Sequence, residues 1–159
     1  MKIGVMGDTH GDLLVIKQIL AEASDVEAWF HTGDYSQDAT FLGSLTEKPV
    51  YSVCGNCDVY EGRSPVECIA KLEGFTIAMN HGNKYLYGVG VENLRAWGRA
   101  KNADIVLFGH THIALLEDKD DMLLMNPGSA ARPRKGLPSY GEIFLEKGTK
   151  PVANICYLD

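Results

Sequence analysis

Five short apolar runs of the chain each lead into a small polar motif that contains glycine, aspartate or histidine. The motifs are GDTH at 7–10, TGD at 32–34, GNCD at 55–58, His81 and GHTH at 109–112. In open α/β sheets, ligands bind just outside the carboxyl ends of the strands. The pattern therefore predicts a fold that is built on strands and gathers these motifs at one rim.

The apolar pattern predicts strands that alternate with helices early in the chain, followed by hairpins later. Strands are expected at 1–6, 27–31, 49–53, 66–72, 75–80, 104–108, 113–117, 122–125, 141–146 and 152–158, and helices at 13–20, 38–46 and 90–101. Asp12 is the expected N-cap of the first helix. Glu73-Gly74 is expected to turn one hairpin, and the acidic run 118–121 another. The fold class predicted is α/β, with sheets covered by helices.

Size and charge exclude several classes of protein. The 159 residues fit a single domain, 1–159, with a hydrophobic core. A net charge of −6 argues against generic nucleic-acid binding, which needs a basic surface. No apolar run approaches the roughly 18 residues of a membrane helix, and the N-terminus turns polar after residue 6, unlike a signal peptide. A cytoplasmic protein with reduced cysteines and no membrane contact is expected.

The side chains in these motifs suit metal ions. They comprise two carboxylates, four imidazoles and one amide: Asp8, His10, Asp34, Asn56, His81, His110 and His112. Seven ligands are too many for one ion, whereas two ions that share a carboxylate would use them all. The nitrogen and oxygen mixture suits Mn, Fe, Zn, Ni or Co better than Ca. Two divalent ions, two carboxylates and a bridging hydroxide leave one positive charge to meet a phosphate. The fifth histidine, His31, is interpreted as structural.

The CGNC segment allows other interpretations, because Cys54 and Cys57 have the spacing of a redox pair or of half a zinc site. A redox cysteine is typically exposed at a helix N-terminus, whereas Cys54 follows an apolar run that resembles the buried end of a strand. Cys68 and Cys156 are isolated and complete no zinc site. We interpret Asn56 as the ligand, Cys54 as a core residue, and Cys57 as a neighbour of the metals with a secondary role.

The motif series GDTH, GD, GNCD, His81-Gly82 and GHTH resembles, in order, that of the calcineurin-like metallophosphoesterases. The length and the NPGS at 126–129 resemble the small YfcE-type phosphodiesterases, to which the eukaryotic retromer scaffold subunit is related. The resemblance implies a four-layer α/β/β/α sandwich and a metal-dependent phosphodiesterase in which a metal-bridging hydroxide is the nucleophile. It implies two divalent ions, with manganese favoured, a small phosphodiester or nucleotide-type substrate, and association into homodimers or homotetramers. The alternative is a non-catalytic, metal-binding scaffold like the retromer subunit.

The same resemblance assigns roles to residues. It places Asp8, His10 and His112 on one metal and Asn56, His81 and His110 on the other, with Asp34 as the bridge. Catalysis would act through Asp34, Asn56 and His81, by way of the metals. Asn83 and Arg134 are expected to contact the substrate.

Two positions depart from the family pattern. Cys57 stands where many larger relatives have a histidine that protonates the leaving group. Asn83 stands where the subfamily often has a second histidine. A thiol with an ordinary pKa of about 8.5 is a poor acid at neutral pH, so we expect leaving groups that need little protonation.

Overall fold

The computed structural model describes residues 1–58, 64–86 and 90–159. In these residues the elements are β1 (Lys2–Met6), α1 (Leu13–Glu22), β2 (Ala28–His31), α2 (Gln37–Leu45), β3 (Val50–Ser52), β4 (Glu67–Leu72), β5 (Phe75–Asn80), α3 (Glu92–Ala100), β6 (Ile105–Leu107), β7 (Leu115–Lys119), β8 (Met122–Asn126), β9 (Ser139–Phe144) and β10 (Val152–Tyr157). A single 3-10 turn spans Asn56–Asp58.

The strands form two five-stranded mixed sheets. Their orders are β10-β9-β1-β2-β3 and β4-β5-β6-β8-β7. The inner strands β1 and β2 run parallel to each other and to β3, and β5, β6 and β8 are likewise parallel. The remaining pairings are antiparallel. Each sheet therefore presents several carboxyl strand ends along one edge.

Three hydrophobic clusters fill the spaces between four layers. The cluster between the sheets contains Val5 from the first sheet and Met79 and Leu107 from the second. A second cluster packs α1 and α2 onto the outer face of the first sheet, around Trp29. A third packs α3 onto the second sheet, around Trp97. The four-layer α/β/β/α sandwich is therefore confirmed.

Every predicted strand and helix is present, with shifted ends. Asp12 caps α1 as expected, because its carboxylate accepts a hydrogen bond from the backbone N–H of Val15 at 3.1 Å. The predictions of strands over 113–117 and 141–146 were each wrong by two residues, since β7 runs from Leu115 to Lys119 and β9 from Ser139 to Phe144. Pairing of Lys119 with Met122 leaves only two residues in the turn, a length that favours tight hairpins whose twist matches the strands. Within the described residues, no helix is both long and apolar enough to cross a membrane.

Candidate metal centre

Five of the seven predicted metal ligands have a left-handed backbone conformation. They are Asp8 (φ 49°), His10 (φ 47°), Asp34 (φ 56°), His110 (φ 73°) and His112 (φ 58°). Residues other than glycine rarely adopt this conformation. Such strain costs on the order of 1–3 kcal/mol per residue and concentrates at functional sites. The backbone alone therefore marks these loops as a candidate site.

One group of donor atoms comes from the loops after β1, β2 and β6. Asp8, His10, Asp34 and His112 each offer one ligand atom, and these atoms all lie within 4.8 Å of one another. His10 Nε2 lies 3.2 Å from His112 Nε2, which lies 3.5 Å from Asp8 Oδ1. Ligand bonds of 2.0–2.2 Å place tetrahedral donors about 3.4 Å apart. The group has the spacing of a metal site.

The carboxylate of Asp8 provides a test of this fit. Its Oδ1 is buried and has no hydrogen-bond partner among the described residues, whereas its Oδ2 accepts from the backbone N–H of His110 at 3.2 Å. A buried carboxylate oxygen without a donor is strongly unfavourable. A cation at this position would satisfy it, so the residues fit a metal ion.

A second group of donors lies on the other side of Asp34. Asn56 Oδ1 is 3.0 Å from both His81 Nε2 and His110 Nδ1. His81 Nε2 is 3.4 Å from Asp34 Oδ1, whereas Asp34 Oδ2 faces the first group, 3.8 Å from His10 Nε2. The two oxygens of Asp34 thus point to different donor groups.

Hydrogen bonds orient two of the imidazoles. His81 Nδ1 donates to the carbonyl of Thr32 at 2.8 Å, and His112 Nδ1 donates to the carbonyl of Arg132 at 2.7 Å. Because a carbonyl only accepts, both Nδ1 atoms carry hydrogen. The Nε2 atoms of the neutral rings are then free to bind a metal, which is the usual arrangement of metal-bound histidine.

Nearby carboxylates favour protons on the same two histidines when no metal is bound. The carboxylate of Asp8, whose Oδ1 lies 3.5 Å from His112 Nε2, raises the pKa of His112. Burial alone would lower the pKa of His81, but its hydrogen bond to Asp34 and the charges of Asp8 and Asp34 raise it. A metal ion would have to displace these protons, which makes binding dependent on pH.

The other two imidazoles of the site behave in the opposite way. Burial lowers the pKa of His10, and the positive charge of His112 lowers it further. Burial also lowers the pKa of His110, with an added effect of the charge on His81. Each donor group thus holds a neutral imidazole that is ready to bind.

A buried hydrogen-bond network links two of the ligand loops. The carboxylate of Asp38 accepts from the hydroxyl of Thr9 and from the backbone N–H of Gly11 at 2.8 Å. His31 Nε2 donates to the Thr9 oxygen at 2.9 Å, and His31 Nδ1 accepts from Gly33 N–H at 3.3 Å. Burial lowers the pKa of His31 and keeps it neutral, as this pattern requires. His31 therefore lies outside both donor groups and connects the loops of Asp8 and Asp34.

The role of Asp38 and Thr9 was missed by sequence reasoning. Asp38 lies in the first turn of α2, where an acidic residue is ordinarily explained by the helix dipole. Its spacing from Thr9 carries no signal, because the contact joins the loop after β1 to the start of α2.

The loop of Asn56 is fixed against the loop of Asp34. The buried carboxylate of Asp58 accepts from the backbone N–H groups of Gly55 at 2.7 Å and Ser36 at 2.8 Å. A Cβ atom on Gly55 would lie 2.2 Å from Asp34 Oδ1. Only glycine at this position lets the two loops approach closely enough to join the donor groups.

The cysteines of the CGNC segment lie outside the donor groups. Cys57 is exposed, and its backbone N–H donates to Asp34 Oδ1 at 2.9 Å. Partial burial and the charge of Asp34 raise the pKa of its thiol. The interpretation of Cys54 as a buried core residue was wrong: it is only half-buried. The reason is that β3 ends at Ser52, and Cys54 N–H instead bonds the carbonyl of Pro65 at 2.8 Å.

The two predicted substrate contacts are both exposed. Arg134 N–H donates to the carbonyl of His112 at 3.1 Å, and its positive charge adds to the burial that lowers the pKa of His110. Asn83 lies two residues after His81, and no hydrogen bond found among the described residues joins its side chain to the donors. The backbone of Arg134 thus lies beside the donor His112, and contact of Arg134 and Asn83 with substrate stays a prediction.

The fold and the donor groups define an α/β/β/α protein with a buried Asp/His cluster that is suited to metal. Residues 1–148 match the calcineurin-like phosphoesterase superfamily domain. The chain belongs to this family, which confirms the resemblance drawn from the motifs.

Curated relatives agree with this assignment. A probable metallophosphoesterase of Methanothermobacter thermautotrophicus is 35% identical over 143 residues, which cover 87% of this chain and 83% of the relative. Phosphodiesterase MJ0936 of Methanocaldococcus jannaschii is 28% identical, with 92% and 95% covered. Phosphodiesterase YfcE of Escherichia coli K12 is 32% identical over 101 residues, with 58% and 50% covered.

Solved structures share the fold. A protein of Streptococcus pneumoniae described as a predicted phosphoesterase has a TM-score of 0.79 at 25% identity, covering 98% of this chain and 88% of that one. Vacuolar Protein Sorting 29 of Cryptosporidium parvum has a TM-score of 0.79 at 22% identity, with 99% and 97% covered. The second likeness establishes the fold alone.

Proposed function

We propose that this protein hydrolyses phosphodiesters with two divalent metal ions bound at the rim described above. The observation that carries the proposal is the position of Asp34, whose two carboxylate oxygens face two separate donor groups. A carboxylate placed between two sets of nitrogen and oxygen donors is suited to bridging a pair of ions. The relatives named as phosphodiesterases support the same activity.

The seven donors divide into two sets that share one residue. One ion would be held by Asp8, His10, Asp34 and His112, and the other by Asp34, Asn56, His81 and His110. Manganese is the favoured metal, with Ni, Fe, Zn or Co as alternatives, because the donors are imidazole, carboxylate and amide. Bound ions of this kind supply Lewis acidity and a nucleophile derived from water at neutral pH.

The protein itself contributes positioning and charge. Two divalent ions and the two carboxylates of Asp8 and Asp34 leave a positive centre, to which Arg134 adds a further charge. A guanidinium beside the centre can orient phosphate oxygens through paired hydrogen bonds. The substrate favoured is a small phosphodiester or nucleotide-type molecule, whose single negative charge suits this centre.

The absence of an imidazole acid at Cys57 shapes the choice of leaving group. The raised pKa of this thiol keeps its proton at neutral pH, so it transfers a proton poorly. Diesters with acidic leaving groups need little protonation and are expected to react fastest. Simple alkyl monoesters are expected to react slowly.

The second candidate is a non-catalytic metal-binding scaffold related to the retromer subunit. The likeness to Vacuolar Protein Sorting 29 raises it, although at 22% identity this likeness carries only the fold. A scaffold has no need of a full donor set, and here all seven donors are present and converge. This completeness favours catalysis.

Further predictions concern the setting of the protein. All four cysteines carry free thiols, which suits the reducing cytoplasm that we propose as its location. That residues 1–159 form one domain, and that copies associate as homodimers or homotetramers, stay predictions.

The test is turnover by purified protein that has been stripped of metal and then loaded with Mn²⁺, Ni²⁺, Fe²⁺, Zn²⁺ or Co²⁺ in turn. We expect bis(p-nitrophenyl) phosphate to be hydrolysed only by loaded protein, and faster than p-nitrophenyl phosphate or methyl phosphate. Hydrolysis that survives complete metal removal would contradict the proposal. Tight metal binding with no turnover of any phosphoester would favour the scaffold.

A further inference from the structure

A cavity of about 460 Å³ lies beside the candidate metal centre. It is lined by Ile113, Ala114, Lys135, Gly136, Leu137 and Tyr157. Ile113 directly follows the donor His112. Its volume falls within the roughly 300–1,000 Å³ that is typical of sites for small molecules.

The sheet register places this cavity at the same rim as the donors. Leu115, which follows Ile113 and Ala114, pairs with Asn126 at the carboxyl end of β8. At the other side, Tyr157 pairs with Ser139 at the start of β9, the end that lies beside the carboxyl end of β1. The cavity therefore lies at the end of the strands from which the loops with the metal donors emerge.

The lining is apolar where the surrounding rim is polar. Ile113 is 41% exposed, Leu137 52% and Tyr157 57%. Tyr157 shares a face of β10 with Ile155, which packs against the core between the sheets. Exposed apolar side chains that converge on a concavity with few polar groups are typical of a ligand site.

A basic segment runs from the donor His112 to the lining of the cavity, in which Lys135 takes part. Arg132, Arg134 and Lys135 are all exposed, in a chain whose net charge is −6. The carbonyl of Arg132 accepts from His112 Nδ1, and the N–H of Arg134 donates to the His112 carbonyl. An anion at the metal centre would therefore have positive charge on the side that faces the cavity.

We propose that this cavity binds the retained ester group of a phosphodiester substrate, and that this group is a flat aromatic ring, either aryl or a nucleobase. The inference rests on the proposed function. A diester carries one group on each side of its phosphate, so a phosphate at the donors can place one group over the basic segment. Tyr157 and Leu137 offer an aromatic and an apolar surface for stacking, and Lys135 adds a cation at the edge.

Another cavity, of about 310 Å³, lies at the opposite ends of the strands. Its lining includes Asp104, Asp118 and Asp121. Its three carboxylates outnumber its one lysine, Lys150, and would repel a phosphodiester, and this end of the sheets is far from the donors. The cavity beside His112 is the better candidate for a substrate group.

The kinetic test uses diesters that share p-nitrophenolate as the leaving group and carry methyl, phenyl or 5′-thymidine as the retained group. Metal-loaded wild-type protein is compared with Leu137→Ser/Tyr157→Ser. The control is Phe144→Ser/Val152→Ser, whose residues are equally exposed, at 50% and 59%, and pair across the far ends of β9 and β10.

We expect kcat/KM for the phenyl or thymidine diester to exceed that for the methyl diester by about tenfold, a typical effect of an apolar pocket. The preference should fall towards unity in the cavity variant and persist in the control. A wild-type preference that survives in the cavity variant, or no preference in active wild-type protein, would overturn the inference. Of the phenyl and thymidine diesters, the one whose kcat/KM falls more in the cavity variant identifies the kind of ring that the cavity binds.

A binding test separates failure of the cavity from failure of the proposed function. Phenyl phosphate and methyl phosphate are titrated into the protein, and the Leu137 methyl and Tyr157 ring signals are followed by NMR. Saturable shifts with phenyl phosphate, but not with methyl phosphate, would support binding of the ring in the cavity even if no diester is hydrolysed. Unchanged signals would refute it even in a protein that is an active phosphodiesterase.

Discussion

The two ends of the strands share an unusual backbone conformation for different physical reasons. At the end far from the donors, left-handed residues form the two-residue turns Glu73-Gly74 (φ 51° and 82°) and Asp120-Asp121 (φ 54° and 57°). Their side chains are exposed. Such turns need positive φ at both positions because only then does the turn match the twist of the strands. The strain in these two turns is explained by the hairpins, and the remaining left-handed residue other than glycine at this end, Asn102 (φ 54°), directly follows the C-cap of α3.

At the rim, the left-handed residues other than glycine are the donors Asp8, His10, Asp34, His110 and His112, together with Tyr35 (φ 64°), which directly follows Asp34. None of them turns a two-residue hairpin, and their side chains are buried or half-buried. The left-handed conformation of the donors brings acidic and imidazole groups together, and this is unfavourable without a cation between them. The contrast teaches that a rare conformation indicates function only where local turn geometry does not already account for it.

The largest effect that the contrast predicts is at Asp34. Asp34→Asn should lower diester turnover by on the order of a thousandfold, because it removes a charge that both ions share. The matched control is Asp120→Asn, the same substitution at a left-handed aspartate of the far end, which should leave turnover unchanged. Similar residual activity in Asp34→Asn and Asp120→Asn would show that the left-handed aspartate at the rim matters no more for turnover than the one at the far end.

The donors could be predicted because each lies within five residues of the end of a strand that is evident from its apolar run. The strand end fixes where the backbone emerges, so GDTH, GNCD and GHTH convey position as well as chemistry. The network of Asp38, Thr9 and His31 could not be predicted, since it depends on tertiary contacts between α2, the loop after β1 and the end of β2. The true extent of β7 was missed because acidic residues at an exposed strand end resemble a loop.

The next effect separates Asn56 from its neighbour Cys57. Asn56→Ala should lose one ion and on the order of a hundredfold in turnover, because a donor of the second group is removed. Cys57→Ser should retain both ions and keep turnover within roughly tenfold, since its link to Asp34 Oδ1 is made by the backbone. Metal content and turnover, measured in reductant, check both. Loss of metal in Cys57→Ser with full metal in Asn56→Ala would reverse the assignment.

A smaller effect is expected from the network that supports the rim. Asp38→Asn keeps an oxygen acceptor but loses the negative charge that strengthens the hydrogen bonds from Thr9 and Gly11. Metal affinity should therefore fall about 10–100-fold. The control is Asp12→Asn, because asparagine also caps helices well and Asp12 lies outside the network. Titration of Mn²⁺ into both variants, with unfolding of the metal-free proteins, distinguishes positioning from general stability. Unchanged metal affinity in Asp38→Asn would show that the network does not position the metal ligands.

Acidity should weaken metal binding at the rim. The pKa values of His81 and His112 are raised, so these rings hold protons over a wider range of pH than free histidine. Below the raised pKa values a metal must displace a proton, and affinity should rise about tenfold per pH unit for each proton released. Calorimetry of Mn²⁺ binding near pH 6.5 in buffers of different ionisation enthalpy measures the release. Identical heats in all buffers would mean that no proton is displaced.

The smallest effect is at the far end. Glu73→Asn gives the first hairpin the Asn-Gly sequence that its turn favours and should raise the free energy of unfolding by about 0.5–1 kcal/mol. Turnover and metal content should not change, because the strain relieved there has no part in the site. Chemical denaturation of the metal-free protein provides the measurement. A loss of metal in Glu73→Asn would show that the far turn affects the metal site, which would contradict the prediction.

Anomalous diffraction from crystals grown with Mn²⁺ can show whether two ions share Asp34. We expect two anomalous peaks about 3.5–4 Å apart, one on each side of the Asp34 carboxylate. The first should lie among Asp8, His10 and His112, and the second among Asn56, His81 and His110. A single peak at full occupancy, or one bound by Cys57, would contradict this expectation.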